Sequence, residues 1–269
     1  MPYRGVVAGP IGRWALAHLM TPRRATARGG LVGNADALTR GARALETFGT
    51  AFLERVKDAV VIDHGCGYGD AVAAVARAGA REAVGLDIRD AVLEAGRRIA
   101  VNMGVGDRCR FVNITSPNAL EPWIGRADVV LSIDAFTHYL DPEQELRRMR
   151  RLLRSGGRLY VSFGPPWWHP NGCHMMPFGA PPWAHLVFAE QVILDVRRRF
   201  RGDGARRFEH VEGGLNRMSV RRFERLMTRS GFQVTCLECV PIRGVSPLAR
   251  LPIGRELFTS IVQAEAVKP

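Results

Sequence analysis

The run Asp63-His64-Gly65-Cys66-Gly67-Tyr68-Gly69 sets three glycines at alternate positions behind an acid, and a second acid, Asp87, stands 24 residues after the first. Glycines at a strand-to-helix turn let the backbone come close to a nucleotide-like ligand. An acid closing the next strand can accept both hydroxyls of a ribose. The spacing is G-x-G-x-G, with Asp70 where a dinucleotide fingerprint needs its third glycine. Asp63 would repel a pyrophosphate and attract a cationic amino-acid moiety. Proton transfer, if the chemistry needs it, falls to histidine, whose ordinary pKa of about 6.5 suits neutral pH. His138 follows an apolar run, and His169, His174 and His185 lie in a segment rich in proline and tryptophan. Their spacings of five and eleven match no standard zinc pattern, so a metal site is not expected. His64 and Cys66 are read as parts of the turn, with no reactive role.

The elements that must position these residues follow from periodicity. Short β-rich runs at 59–63, 83–87, 110–114, 127–133 and 158–163 are separated by helical stretches at 70–78, 90–103 and 141–154. Strands alternating with helices give βαβ units and a parallel sheet. Each of the three helices opens with an acid, which suits a helix N-terminus. Ser155-Gly156-Gly157 is expected to stop the third helix and turn the chain. Apolar positions Leu38, Leu45, Phe48, Phe52 and Val56 predict an earlier helix with one buried stripe. Beyond residue 163 a helix is expected from 187 to about 201, another at 219–230 with Ser219 as its cap, then strands at 232–240 and 257–267.

Taken in order, these segments resemble the class I S-adenosylmethionine-dependent methyltransferases, in particular the small-molecule branch with the type 11 methyltransferase domain. The resemblance covers residues 45–164 and, at the level of pattern, 216–267. It rests on Val60-Val61-Ile62-Asp63-His64-Gly65-Cys66-Gly67-Tyr68-Gly69, on Val84-Gly85-Leu86-Asp87-Ile88, and on Ala127-Asp128-Val129-Val130-Leu131-Ser132-Ile133-Asp134. His138 with Asp141-Pro142 looks like the family's "H…DP", and Leu152-Leu153-Arg154-Ser155-Gly156-Gly157-Arg158-Leu159 like its turn before strand five. The resemblance implies an α/β fold with a Rossmann-like, doubly wound, mostly parallel seven-stranded sheet, and S-adenosyl-L-methionine as cofactor. The turn residues Asp63, Gly65, Cys66, Gly67 and Gly69 would hold its methionine end, Asp87 and Ile88 its ribose, and Ser132 and Ile133 would approach from the fourth strand. Where the family often has an acid near adenine, Asn113-Ile114-Thr115-Ser116-Pro117-Asn118-Ala119 has none. Ser116 or Asn118 would take that contact.

The expected activity is methyl transfer to a small-molecule acceptor, most simply at oxygen, with His169, His174 or His138 as catalytic base. Residues 1–36 read as an extension or lid and 37–269 as the cofactor-binding domain, with 164–216 as an inserted wall. In that wall Trp167, Trp168, Trp183, Met175, Met176 and Phe178 would suit an aromatic, lipid-like or sugar acceptor, although Met175 and Met176 are read first as core.

Composition bounds the alternatives. The 269 residues are 46% hydrophobic and 24% charged, which excludes collagenous, disordered and disulfide-stapled classes. All but two of the 38 basic residues are arginine, and the net charge is +12. That charge, with Arg197-Arg198-Arg199-Phe200-Arg201, motivates a second reading as a nucleic-acid methyltransferase. Against it, Ser132-Ile133-Asp134-Ala135 stands where an amino-directed enzyme would carry an Asn/Asp-Pro-Pro-Tyr tetrapeptide, so no specific nucleic-acid partner is expected. A third reading is a cofactor-binding partner protein without turnover. Five cysteines and the lack of a signal-peptide pattern predict a reducing, cytoplasmic setting. Cys236 and Cys239 have C-x-x-C spacing, but on a strand they would point to opposite faces, which argues against metal ligation.

Overall fold

The computed structural model describes residues 5–20, 41, 45–116, 118–175, 179–211, 213–249 and 251–269. Most of the expected lid, and Leu38, Met176 and Phe178, lie outside them. Runs of valine, isoleucine and leucine form β1 (Val60–His64), β2 (Glu82–Asp87), β3 (Cys109–Asn113), β4 (Ala127–Ile133) and β5 (Leu153–Phe163). These five pair in parallel in the order β3-β2-β1-β4-β5. β6 (Gln233–Pro241) and β7 (Thr259–Val267) complete the seven-stranded sheet, β7 lying antiparallel between β5 and β6. Every residue of β1 is buried, as a central parallel strand covered on both faces requires. Strand order reverses between β1 and β4. That switch point opens a crevice at the carboxyl ends of the two strands, where α/β sheets bind ligands.

Helices α1 (Gly9–Leu19) and α2 (Gly49–Val56) precede β1, and the helices between the parallel strands are α3 (Asp70–Arg77), α4 (Asp90–Asn102) and α5 (Pro142–Leu152). Asp141 caps α5 by accepting from the Gln144 N–H at 3.0 Å, with Pro142 at the first helical position. Beyond β5 come the single turn α6 (Ala184–Val187), α7 (Glu190–Arg197) and α8 (Val220–Arg229), and between β6 and β7 come α9 (Ser246–Ala249) and α10 (Pro252–Phe258). Ser219 caps α8 through the Arg222 N–H at 3.2 Å.

Two expectations are corrected. Ser155-Gly156-Gly157 does not separate helix from strand: Leu153 already pairs with Ala127, and the register shifts before Val129 pairs with Arg158, so the glycines lie within a bulged β5. The helix expected from 187 to about 201 is two pieces. The Val7 N–H donates to Val187 O at 3.0 Å and the Ala189 N–H to Val7 O at 2.9 Å, so Phe188 and Ala189 are held extended against the N-terminal segment.

Three apolar clusters result. One packs α2, α3 and α4 on one face of the sheet, around Phe52, Val72, Leu93 and Tyr160. A second packs α5 and α8 on the other, around Phe136, Leu146, Phe163 and Phe223. The third joins α1 to the 164–216 segment, with Leu16 and Met20 beside Trp167, Met175, Phe188 and Ile193. Met175 is core, and the N-terminal helix is tied to the insert by an Arg13–Asp195 ion pair of 3.0 Å.

Candidate active site

At the end of β1 the chain doubles back onto β2. The N–H groups of Gly65 and Cys66 both donate to Leu86 O, at 2.8 and 2.9 Å, and the Gly69 N–H donates to Cys66 O at 2.9 Å. Two of the glycines are obligatory. Gly65 has φ +83°, and a Cβ there would lie 2.7 Å from the Ala135 Cβ and 2.9 Å from the Tyr139 hydroxyl. Gly69 has φ +75°, and its Cβ would meet the Phe111 ring at 2.5 Å.

Asp87 organises the turn. Its Oδ2 accepts from the Gly67 N–H at 3.0 Å, and its Oδ1 accepts from the N–H groups of Ile88 (2.9 Å) and Arg89 (3.0 Å) and from Arg89 Nε (3.1 Å). Ile88, 63% exposed, stands beside this carboxylate as an apolar surface. Asp63 is the counterpart. It is buried at the end of β1, and its Oδ1 has no hydrogen-bond partner among the described residues. Burial first, then the nearby Asp87 and Asp70, push its pKa up to about 7. A buried carboxylate oxygen without a donor, beside a glycine turn, fits a cationic group on a ligand. Burial pushes the Cys66 thiol up, so it is no nucleophile at neutral pH.

Beneath the turn lies a hydrogen-bonded cluster. Tyr139 donates to His64 O at 2.6 Å, its hydroxyl sits 2.9 Å from Ser132 Oγ, and His64 Nε2 lies 3.2 Å from Glu145 Oε2. Ser132 is fully buried and its hydroxyl is committed to Tyr139, so it supports the turn from below. Ile133 is half-buried against the α2–α4 face. Ser116 and Asn118 are exposed in the turn after β3, where their carbonyls accept from Ala119 (3.2 Å) and Glu121 (3.1 Å). Asn113 shapes that turn, bonding Asp90 Oδ1 at 2.8 Å and the Thr115 hydroxyl at 2.7 Å.

The histidines divide by proton inventory. His138 Nδ1 is 2.7 Å from Gly214 O; a carbonyl can only accept, so Nδ1 carries the proton and Nε2 keeps its lone pair. The His174 ring stands edge-on to His138 at 5.5 Å, and burial with the neighbouring histidines lowers its pKa to about 4. His169 is buried, and its Nδ1 accepts the Asn171 N–H at 2.9 Å, which uses its lone pair. Burial also lowers its pKa. His185 is buried against Trp167, donating to the Trp167 carbonyl at 2.6 Å. His138 and His174 therefore meet, while His169 is engaged by its own turn.

Segment 214–216 is laid onto the loop leaving β4. The Asn216 side chain donates to Phe136 O at 2.8 Å and to Tyr139 O at 2.7 Å. Beside it opens a cavity of about 1090 Å³, walled by Leu140, Trp168, α8 and α10. Trp183 donates to Trp168 O at 3.0 Å and so fixes the tryptophan turn. Sequence reasoning singled out the glycine turn and Asp87 but not Tyr139 or Asn216, which act through hydrogen bonds between distant segments, nor Arg89, which bonds the neighbouring Asp87. Only the neighbouring His138 motif hinted at Tyr139. Cys236 is exposed, and Cys239 accepts from Arg255 Nε at 3.3 Å. Among the described residues no cluster of three or more His, Cys, Asp or Glu is placed to hold a metal ion.

Residues 61–157 match the family model of a methyltransferase domain. A ubiquinone biosynthesis O-methyltransferase of Pseudomonas aeruginosa is 33% identical over 102 residues, 38% of this chain and 43% of the relative. The chain thus spans under half the length of the curated relatives it matches. Among solved structures, an S-adenosylmethionine-dependent methyltransferase from Mesorhizobium loti superposes with TM-score 0.55 at 18% identity, over 87% of this chain and 100% of that one. The geranyl diphosphate C-methyltransferase from Streptomyces coelicolor does so with TM-score 0.53 at 17% identity, over 97% and 100%. At these identities the structures establish the fold.

Proposed function

Because residues 61–157 match the family model of a methyltransferase domain, we propose that the chain is a class I S-adenosylmethionine-dependent enzyme that transfers a methyl group to a small-molecule acceptor, at oxygen. The observation that carries this reading is the buried Asp63 carboxylate, whose Oδ1 has no partner among the described residues, beside a glycine turn that Asp87 holds open. The cofactor, when bound, supplies a methyl group already activated by its sulfonium. Asp63 and the turn at Gly65, Cys66, Gly67 and Gly69 hold the ammonium end. Asp87 accepts from the ribose hydroxyls as the Arg89 side chain yields its place, Ile88 covers one side of the base, and Ser116 and Asn118 line its edge. Ser132 and Ile133 close the floor.

What remains for the protein is alignment, exclusion of water and removal of a proton from a hydroxyl acceptor. His138 is the base in this reading, because its Nε2 lone pair is free and Gly214 fixes its tautomer. His174, packed edge-on against it, is second, and His169 orders the wall. Residues 164–216 with the described N-terminal residues 5–20 cover the acceptor, as their shared apolar cluster supports, the rest of the expected lid lying outside the described residues. Free cysteines at 66, 109, 173, 236 and 239 accord with a reducing, cytoplasmic setting, and no helix among the described residues is long and apolar enough to cross a membrane. The test is an acceptor screen with isotope-labelled methyl donor read by mass spectrometry. Cofactor binding without transfer to any acceptor would overturn the enzymatic reading.

A further inference from the structure

The cavity beside Asn216 has an unusual charge arrangement. Its volume of about 1090 Å³ is ample for a small organic ligand. Leu140, Trp168 and Ile253 give it an apolar side, and Ile253 is 73% exposed at its rim. The facing wall is α8 and the segment just before its cap, which contribute Arg217, Arg221, Arg222 and Arg225. Two of these arginines are committed. Arg217 pairs with Glu190 at 2.6 Å and lies over the rings of Trp167 and Phe208. Arg221 lies 4.0 Å from Glu256, whose oxygens also accept the N–H groups of Val220 and Arg221 at 3.1 and 2.8 Å.

The other two are not. Arg222 donates to the main-chain carbonyl of Asn216, and no carboxylate among the described residues lies within ion-pair distance of Arg222 or Arg225. Burial and the charge of Arg225 push the Arg222 pKa down, with Asp141 opposing. Asp141 is itself occupied in capping α5. Glu209 and His210 also line the cavity, on the side of the 208–210 turn. Two neighbouring guanidinium groups with no ion-paired carboxylate among the described residues, one half-buried and one exposed on the wall of a cleft, form a site for a multidentate oxyanion.

We propose that this cavity is the acceptor site and that its acceptor is an anionic amphiphile, with a phosphate or carboxylate held by Arg222 and Arg225 and an apolar body against Trp168, Leu140 and Ile253. The proposal rests on the methyltransferase reading and narrows it. The topology supports the placement: Asn216, which lines the cavity, is bonded to the carbonyl of Tyr139, and the Tyr139 hydroxyl is bonded to the end of β1. The acceptor's anion would thus be held away from the methyl-transfer point, and its apolar body would span the interval.

The test is calorimetric titration of the full chain, saturated with S-adenosylhomocysteine, with monomeric decyl phosphate, 1-decanol and inorganic phosphate. Decyl phosphate is expected to bind at least tenfold tighter than either of the others, with affinity falling as salt is raised. Arg225→Gln, on the exposed side of α8, and Arg222→Gln should each weaken decyl phosphate about tenfold or more, leaving decanol and S-adenosylhomocysteine affinities unchanged. Decanol binding as tightly as decyl phosphate, or Arg225→Gln leaving decyl phosphate unaffected, overturns the proposal. Inorganic phosphate matching decyl phosphate also overturns it, by removing the apolar part. Absence of S-adenosylhomocysteine binding strikes the methyltransferase reading instead, and the titration of the cavity is read separately from it.

Discussion

The Tyr139 hydroxyl donates to the main-chain carbonyl of His64 at 2.6 Å, joining the loop after β4 to the last residue of β1, 75 positions away. Because the hydroxyl has one proton, it accepts from Ser132 Oγ at 2.9 Å, and all three groups are buried. Tyr139→Phe strands a buried carbonyl and a buried hydroxyl together. The expected loss is about 1–3 kcal/mol of stability, and calorimetric melting should show it as a fall of several degrees with cofactor affinity reduced in parallel. An unchanged melting temperature would mean that this link does not hold the turn.

The glycines of the turn differ in what surrounds them, and alanine should report it. At Gly65 a Cβ meets Ala135 and Tyr139 at under 3 Å, whereas at Gly67 the nearest atom is the Arg89 guanidinium at 4.0 Å. Both have positive φ, +83° and +51°, which alone costs about 1–2 kcal/mol. Gly65→Ala is therefore expected to abolish cofactor binding and lower the melting temperature sharply, and Gly67→Ala to do neither completely. Equal effects at the two positions would contradict the packing around Gly65.

Asp63 makes cofactor affinity depend on pH. Its pKa stands raised from 3.8 to about 7 by burial and its acidic neighbours. In the ligand-free chain the protonated form is favoured, so this group's contribution to stability is complete below about pH 4 and is lost as pH rises through 7. An ammonium group needs the ionised form. Between about pH 5.5 and 7 binding must expel a proton, and affinity should climb by up to about tenfold per pH unit, then level off. Asp63→Asn should bind weakly with a flat profile. Titrations in buffers of different ionisation heat count the released proton directly, and a count of zero at pH 6 would exclude Asp63 as the ammonium partner.

For Asp87 two variants separate ligand contact from loop support. Asp87→Ala removes the acceptor for Gly67, Ile88 and Arg89 as well as for the ribose, so both the turn and affinity fail. Asp87→Asn keeps an oxygen for the main chain but loses charge, and should weaken binding by about 1.5–3 kcal/mol while the fold melts nearly as before. Arg89→Ala, which frees Oδ1 of a competing donor, should leave affinity equal or improved.

The order of elements was legible because parallel strands buried on both faces leave unbroken apolar runs, and because the turn after β1 needs glycine whatever the ligand. Boundaries were misjudged where the cause was a remote partner. Nothing within residues 187–201 indicates that Val7 pairs with Phe188 at their start, and nothing in Ser155-Gly156-Gly157 indicates that Ala127 already holds Leu153. The histidines could be named from sequence but not ranked. Their proton positions depend on the Gly214 carbonyl and the Asn171 N–H, which neither composition nor spacing encodes.

That ranking yields the last prediction. A general base needs a free lone pair, a fixed tautomer and a pKa not far below the working pH. His138 has the first two through its Nδ1–H bond to Gly214 O at 2.7 Å. His174 is neutral at pH 7, yet with its pKa near 4 it is a weak acceptor, and His169 would have to give up the Asn171 N–H to take a proton. Once an acceptor is in hand, His138→Gln should cut turnover about a hundredfold to ten-thousandfold, with cofactor affinity by calorimetry unchanged. His174→Gln should cost less, by loosening the ring that packs against His138 at 5.5 Å. His169→Gln should act on stability first, since it releases the turn that carries Trp167 and Trp168. Full turnover in His138→Gln together with a large loss in His169→Gln would reverse the assignment. Full turnover in all three would mean that the acceptor atom carries no proton to remove, as for an amine already deprotonated or a stabilised carbanion.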